Sequence, residues 1–523
     1  MATLEGNVSD CAHQIWFIDE ILRNILSHLP SGCQSTLASC ARVSKAVGEP
    51  ALDALWCKIS GLVPLFRLLP RSFAEVQNQM GDGDTFVLQG AIKEEEWARF
   101  LHYSGRVRKL HYHYAEGPGE RLGERAFSAL VRHASLAGTT VLPNLQDIFW
   151  LQFSHVAQCL PFLSRSLKRV TLYVQAASPM PLPEAPAQIV PGATEGYGSL
   201  FGVLEACSPC LEELSLEGID FRTSWYLSSP TMFKHLRALR LGSVSTPTSV
   251  VVSYCSRMPL LACLSVVFRR PFDRDSMPAR SQRGDQCQNP PQLSALEVVR
   301  VAGTPLDIED ILRAVDSPAL HTAALSVAIS DDDTDSWTCC ASILSARFSL
   351  SLQTVHVECT RSGTIVPSHA RPFAQYVQPL LPLRRMQNCT IDIDDPAGIA
   401  LTDQDVDAMA TSWTSLSAIE ISIRGGRTSG VPRPTLSSFH AFALRCPRLV
   451  TLRLPFSQDP ASILAGGHWT VPCSHAHEDL RQLWMSGVSF SRRETAMLVK
   501  YLLHLFPNVD LVPLINTGVL RVD

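Results

Sequence analysis

An α/β solenoid, with a parallel sheet on one face and helices on the other, is the fold class this sequence predicts, and three observations predict it. The phrase Leu-x-x-Leu-x-Leu, with aliphatic substitutes, recurs from about residue 107 onward. Amphipathic helical stretches lie between the copies. A constant offset joins the end of a helix to the start of the next phrase.

Clear phrases begin at Leu211, Leu236, Leu261 and Leu293, stepping by 25, 25 and 32 residues, and again at Leu416 and Leu449, 33 apart. In each, two apolar residues flank a polar one, the period of a short strand: Leu214 and Leu216, Leu239 and Leu241, Leu264 and Val266, Leu296 and Val298, Ile419 and Ile421, Leu452 and Leu454. Such a strand buries roughly three aliphatic side chains at 1.5–3 kcal/mol each. Ordering each residue costs about 1–2 kcal/mol of backbone entropy, so the strand persists only when stacked on neighbours. Weaker copies at Val107, Leu145, Leu167, Thr322, Leu352, Met386 and Leu480 bring the array to about fourteen units.

The helices follow from apolar residues at i, i+3, i+4 and i+7: Ile308, Ile311, Leu312, Val315; Val406, Met409, Ala410, Trp413; Phe439, Phe442, Ala443, Cys446; and Val499, Leu502, Leu503, Phe506. Thr304 with Asp307, and Thr402 with Asp405, are start signals. In three units the last helical apolar residue stands three before the phrase: Trp413 and Leu416, Cys446 and Leu449, Phe506 and Val509. Helix and strand in constant register give the leucine-rich-repeat architecture. No asparagine ladder is expected, because Ile219 and Val244 stand eight positions beyond Leu211 and Leu236.

The composition of the 523 residues, 46% apolar with mean hydropathy +0.08, supports an ordered core. With 45 basic and 49 acidic residues the net charge is -4, so nucleic acid and anionic membrane are not expected partners. Sixteen scattered cysteines and a polar N-terminus point to reduced thiols and a cytoplasmic or nuclear location. No apolar run reaches the roughly 18 residues of a membrane span. Stretches 175–197, 270–292, 424–435 and 457–476 break the periodicity and read as loop insertions within a solenoid of residues 106–523.

Residues 11–70 lack the phrase and carry three helical signals. Ile18, Ile21, Leu22, Ile25, Leu26 and Leu29 share one face behind Asp19 and Glu20; Leu37, Cys40, Ala41 and Val43 line a second helix; Pro50 opens a third through Leu52, Leu55 and Trp56. The run FIDEILRNILSHL, followed by LASCARVSK and PALDALW, resembles an F-box as found in the large fungal F-box group. PLFRLLP and WARFLHYSGRVRKL are similar to segments that bridge the F-box to the repeats in that group, here a helical bridge over 71–105. The chain departs from the family at Phe17 and Ile18, where Leu-Pro is usual, and at Val47, where many members have Trp.

The resemblance implies a substrate-recognition subunit of a cullin-type ubiquitin ligase, with an Skp-type adaptor, a cullin scaffold and a protein target as partners. Ile21, Leu22, Ile25, Leu26, Leu29, Val43, Leu55 and Trp56 match its apolar pattern and would bind the adaptor. The alternative is a non-catalytic scaffold whose N-terminal helices only cap the array. The target would meet the outward polar position of each strand, where the chain offers His111, Arg240, Glu297, His356, Glu420, Arg453 and Trp484.

No enzyme, cofactor or metal site is expected. Asp331, Asp332, Asp333 and Asp335 imitate half a calcium loop, but Ser336 replaces its glycine and Ser342 its terminal glutamate. Cys207 and Cys210 have redox-motif spacing but sit where a helix ends. Cys473, His475 and His477 lack a second ligand cluster, and Gly117 and Gly119 lack the lysine of a phosphate cradle.

Overall fold

The computed structural model describes residues 19–30, 32–77, 84–113, 121–122, 124–152, 156–174, 204–217, 233–269, 292–330, 335–362, 369–425, 431–456, 477–486, 490–516 and 519. The insertions at 175–197 and 457–476, nearly all of 270–292 and the centre of 424–435 lie outside these residues, as do Asp331–Asp333, Gly117, Gly119, Cys473 and His475. The chain divides into two compact units, Met1–Ile219 with Ser224–Arg240, and Leu241–Asp523 with Asp220–Thr223.

The first unit opens with three helices, α1 (Asp19–Ser27), α2 (Gln34–Cys40) and α3 (Lys45–Cys57). Leu22, Leu26, Leu37 and Ala51 form their core, with Leu29, Cys40, Ala41, Val47, Ala54 and Leu55 packed around it. Helix α3 begins five residues before Pro50, the expected start, because the Ser44 hydroxyl caps it by accepting the Val47 N–H at 3.3 Å. Pro50 therefore lies inside the helix, buried.

Strand β1 (Lys58–Ser60) comes directly after α3, then α4 (Val63–Phe66), β2 (Phe73–Gln77), β3 (Asp84–Leu88), α5 (Glu94–Ser104), β4 (Lys109–His113), β5 (Arg121–Leu122), α6 (Glu124–Leu136), β6 (Asp147–Gln152), β7 (Arg169–Val174) and β8 (Glu213–Glu217). Strands β1, β4, β6, β7 and β8 pair in parallel, placing Ile59, Leu110, Ile148, Val170 and Leu214 in one row. All five are buried. The parallel sheet thus begins at Lys58, in a strand of three residues with one buried aliphatic that carries no phrase. The expected helical bridge holds α5, but also β2 and β3, an antiparallel pair joined by β5 into a second small sheet.

Strand β9 (Ala238–Val244) runs across the division between the units. The second unit continues with α7 (Thr248–Cys255), β10 (Cys263–Phe268), β11 (Val298–Gly303), α8 (Pro305–Ala314), β12 (Thr322–Ser330), α9 (Asp335–Phe348), β13 (Thr354–Ser362), β14 (Arg371–Pro372), α10 (Ala374–Val377), β15 (Asn388–Asp394), β16 (Ile399–Ala400), α11 (Asp403–Ser412), β17 (Ala418–Arg424), α12 (Ser437–Arg445), β18 (Thr451–Pro455), β19 (Gln482–Ser486), α13 (Arg492–Leu505) and α14 (Val512–Asn516). Eight of its strands, β10 to β13, β15 and β17 to β19, pair in parallel. Leu264, Val299, Ala323, Val355, Cys389, Ile419, Leu452 and Leu483 form one continuous buried row. This is the leucine-rich-repeat arrangement, with capping boxes at Thr304 and Asp307, and at Thr402 and Asp405, where the sequence places them.

Two phrases shift register. The row uses Leu296, Val299 and Val301, not Leu293, Leu296 and Val298, because Leu293 instead pairs with Val315 at the end of α8. The next phrase starts at Leu320 and not Thr322, with Ala323 and Leu325 inward. On α13 the inward face is Leu498, Leu502 and Leu505; Leu503 is exposed.

The three-residue offset is a turn: the phrase's first N–H donates to the carbonyl three residues back, Leu416 to Trp413 at 3.1 Å, Leu449 to Cys446 at 3.1 Å and Val509 to Phe506 at 3.2 Å. The next residue's carbonyl then accepts two N–H groups from the following repeat. Gln387 O takes Ser417 N at 2.7 Å and Ala418 N at 3.0 Å, and Ser417 O takes Val450 N at 2.7 Å and Thr451 N at 3.1 Å.

A buried ion cluster closes the loops beyond β13 and β15. Asp395, fully buried, lies 3.4 Å from Arg361 Nε and 3.3 Å from Arg371 Nε, and accepts the Ala397 N–H at 2.8 Å. The Tyr376 hydroxyl donates to it at 3.4 Å, and burial, then this carboxylate, push the phenol up to about 12. Gly425, at φ +84°, passes so close that a Cβ would sit 2.4 Å from the Asp395 carbonyl oxygen.

Replacing Asp395→Ala leaves the buried Arg361 and the partly buried Arg371 without their carboxylate, so chemical denaturation is expected to show a loss of about 3–5 kcal/mol. Asp403 ties α11 to the start of α12: it accepts from Ser438 Oγ at 2.6 Å, Thr435 Oγ1 at 2.7 Å and Thr435 N at 2.8 Å. Burial opposes its charge, but these bonds outweigh burial and hold its carboxyl below the usual range. The linked stability is complete above the ordinary aspartate value, about 4, and is lost as pH falls through the folded value. Asp403→Asn is expected to flatten that acid limb in stability measured from pH 7 to pH 2, roughly the range over which such a carboxylate titrates.

Candidate docking surfaces

The N-terminal helices divide the expected adaptor residues into core and surface. Leu22 and Leu26 are 1% and 5% exposed, and Leu29 and Leu55 pack against them. Leu22 and Leu26 thus belong to the module's core, while Leu29 and Leu55 are partly exposed beside it. Ile21, Ile25 and Val43 are 40%, 45% and 73% exposed and can meet a partner. Trp56 is half-buried, its ring 4.9 Å from that of Tyr103 on α5. Phe17 and Ile18 lie outside the described residues; Val47 is partly buried against the module's core.

Ion pairs link α1 and α3 to each other and to the turn between α5 and β4. Arg23 pairs with Asp19 at 2.6 Å and with Asp53; Arg106 pairs with Asp53 and, at 2.5 Å, with Glu49. Hydrogen bonding to Arg106 holds the Glu49 carboxyl below its usual value.

In the first unit the outward row runs Ser60, His111, Phe149, Thr171 and Ser215. The His111 ring lies tilted against that of Phe149, centroids 5.8 Å apart. Burial, then the Lys58 charge, lower its imidazole pKa. Arg240 is exposed on β9.

In the second unit the row is Ser265, Arg300, Ala324, His356, Thr390, Glu420, Arg453 and Trp484. His356, Glu420, Arg453 and Trp484 occupy the expected places. Glu297 does not: it is a turn residue whose carbonyl accepts His321 N at 3.0 Å and Thr322 N at 3.2 Å, and Arg300 fills the outward position. The phrase lies three residues later than the spacing predicts, beginning at Leu296. The next row, which the single-position reading missed, adds Glu358 opposite Asp392, with Arg424 on Asp392 at 2.5 Å. A second alternating position along each strand was the available signal.

The deeply buried cysteines offer little reactive chemistry. Burial pushes the thiols of Cys159, Cys255, Cys389 and Cys446 up to about 12. His477 is buried in structural use: Nε2 meets Cys446 O at 2.8 Å, and Nδ1 accepts the Leu480 N–H at 3.3 Å. Among the described residues no group of three His, Cys, Asp or Glu could hold a metal ion, and no helix is long and apolar enough to cross a membrane.

No family model matches the chain, and no curated protein matches it. Among solved structures it is similar to a Bacteroides fragilis protein at 13% identity, covering 43% of this chain and 67% of that one with a TM-score of 0.24. It is similar to the yeast Rad7 and Elc1 complex at 11% identity, covering 73% and 80% with a TM-score of 0.31. It is also similar to a TLR13–ssRNA13 complex at 12% identity, covering 76% and 48% with a TM-score of 0.29.

The division between core and surface is directly measurable. Leu26→Ala is expected to cost about 2–5 kcal/mol, whereas Ile25→Ala stays within about 0.5 kcal/mol. Urea denaturation of the two variants, followed by circular dichroism, checks both.

Proposed function

We propose that the protein is a non-catalytic substrate receptor of a cullin-type ubiquitin ligase. The N-terminal helices dock an Skp-type adaptor, and the outward strand positions of the repeats hold a protein target. Holding the target raises the effective concentration of its lysines near the ubiquitin-charged enzyme, with no bond made or broken by this chain.

The observation that carries the reading is the module's exposed aliphatic surface. Ile21 and Ile25, one helical turn apart on α1, and Val43 after α2 stay in contact with solvent although the module has its own core. The outward row supports the second half: Trp484 and Arg453, adjacent across β19 and β18, are residue types that anchor interfaces.

A specific observation favours a second reading, an interaction scaffold whose helices cap the array. Helix α3 runs straight into β1, Trp56 packs on Tyr103, and Arg106 bridges to Glu49 and Asp53, all of which an end cap requires.

Size-exclusion chromatography of the purified chain with a recombinant Skp-type adaptor separates the two. The receptor reading expects a stoichiometric complex that Ile21→Asp with Ile25→Asp abolishes while the circular dichroism spectrum is unchanged. Absence of a complex with the wild-type chain favours the cap.

A further inference from the structure

Between the helical module and the first repeat strands lies a cavity of about 760 Å³. Leu26, Leu29, Pro30, Leu37, Pro50 and Leu55 contribute its apolar lining from α1, α2, α3 and the loop between the first two. Its charged lining comprises Arg23, Asp53, Lys58, Arg106, Arg108 and Lys109. The volume is that of a small-molecule site, typically about 300–1,000 Å³.

The charges do not balance within it. Arg23 and Arg106 are held by Asp19, Asp53 and Glu49. Arg108 gives one N–H to the Asn144 carbonyl oxygen at 3.3 Å. Lys58 and Lys109 stand directly opposite each other on β1 and β4, both exposed, a like-charge juxtaposition that costs stability. Further along the same row signs alternate: Asp147 beside Lys109, Arg169 beside Asp147 at 2.9 Å, Glu213 beside Arg169. Lys58, at the end of this row among the described residues, has only Lys109 beside it, so the like-charge pair falls at the cavity, beside Arg108.

We infer that this cavity binds a small amphipathic anion, a carboxylate or phosphate ester on an apolar body. Lys58, Lys109 and Arg108 take the head, and Leu29, Pro30 and Leu55, the lining residues that keep some exposure, take the body. Charge-assisted hydrogen bonds to ammonium and guanidinium groups are the stronger kind, and an anion there relieves the repulsion across the strands. The site uses none of the exposed Ile21, Ile25 or Val43.

Isothermal titration of the purified full chain with phenyl phosphate, phenylacetate and the neutral benzyl alcohol tests this. Saturable binding of at least one anion is expected, weakened by added salt and weakened at least about tenfold in Lys58→Ala with Lys109→Ala. Lys58→Arg with Lys109→Arg should retain it. Which anion binds separates the phosphate from the carboxylate source. Both lysines are exposed and their removal relieves a repulsion, so a melting temperature of the unliganded double alanine variant no lower than that of the wild type is expected and excludes misfolding. Binding of the alcohol as tight as that of the anions, binding undiminished in the double alanine variant, or no saturable binding of either anion would overturn the inference.

Discussion

One backbone carbonyl per repeat, accepting two N–H groups from the next repeat, is the constraint on which the stack depends. Arg108, Gln146, Lys168 and Glu212 supply it in the first unit; Ala262, Glu297, His321, Gln353, Gln387, Ser417 and Val450 supply it in the second. Each carbonyl has two lone pairs, so the pattern saturates it and leaves no choice of register. Once two strands are pinned this way, the inward residues of every phrase fall into line. No side-chain ladder is needed, which is why Ile219 and Val244 can stand where other arrays of this type place asparagine.

The turn before that carbonyl sets how a helix meets its strand. The phrase's first residue donates to the carbonyl three residues back at Val107, Leu167, Leu211, Leu261 and Met386 as well as in the later repeats. At Leu480 the acceptor is the ring of His477 instead. Burial then adds the energy: Trp413, Leu416, Cys446, Leu449 and Phe506 are all 0% exposed, and each such side chain contributes about 1.5–3 kcal/mol. The irregular segments are closed by polar clusters, Asp395 with its two arginines and Asp403 with Thr435 and Ser438.

Function is left to surfaces the core does not need. The apolar pattern of residues 19–57 mixes two roles, since helical periodicity reports one face only. Leu22 and Leu26 turn that face inward, while Ile21 and Ile25, one position earlier each, flank it outside. Likewise Glu358 and Asp392 share the open face with His356 and Glu420 but lie one alternation further along.

The repeat, its strand-and-helix composition and two helix caps are legible along the chain, because they depend on residues near one another: phrase spacing, amphipathic period and Thr-to-Asp capping. Register is set by contacts between distant residues. Leu293 and Leu296 are equally good phrase starts locally, and the choice is made by the Ala262 carbonyl and by Val315, 22 residues beyond Leu293. The same holds for β1, a three-residue strand that exists because Lys109 to His111 lie beside it, and for the cavity at Lys58 and Lys109, 51 positions apart. Long-range pairing created these features, and no local pattern encodes them.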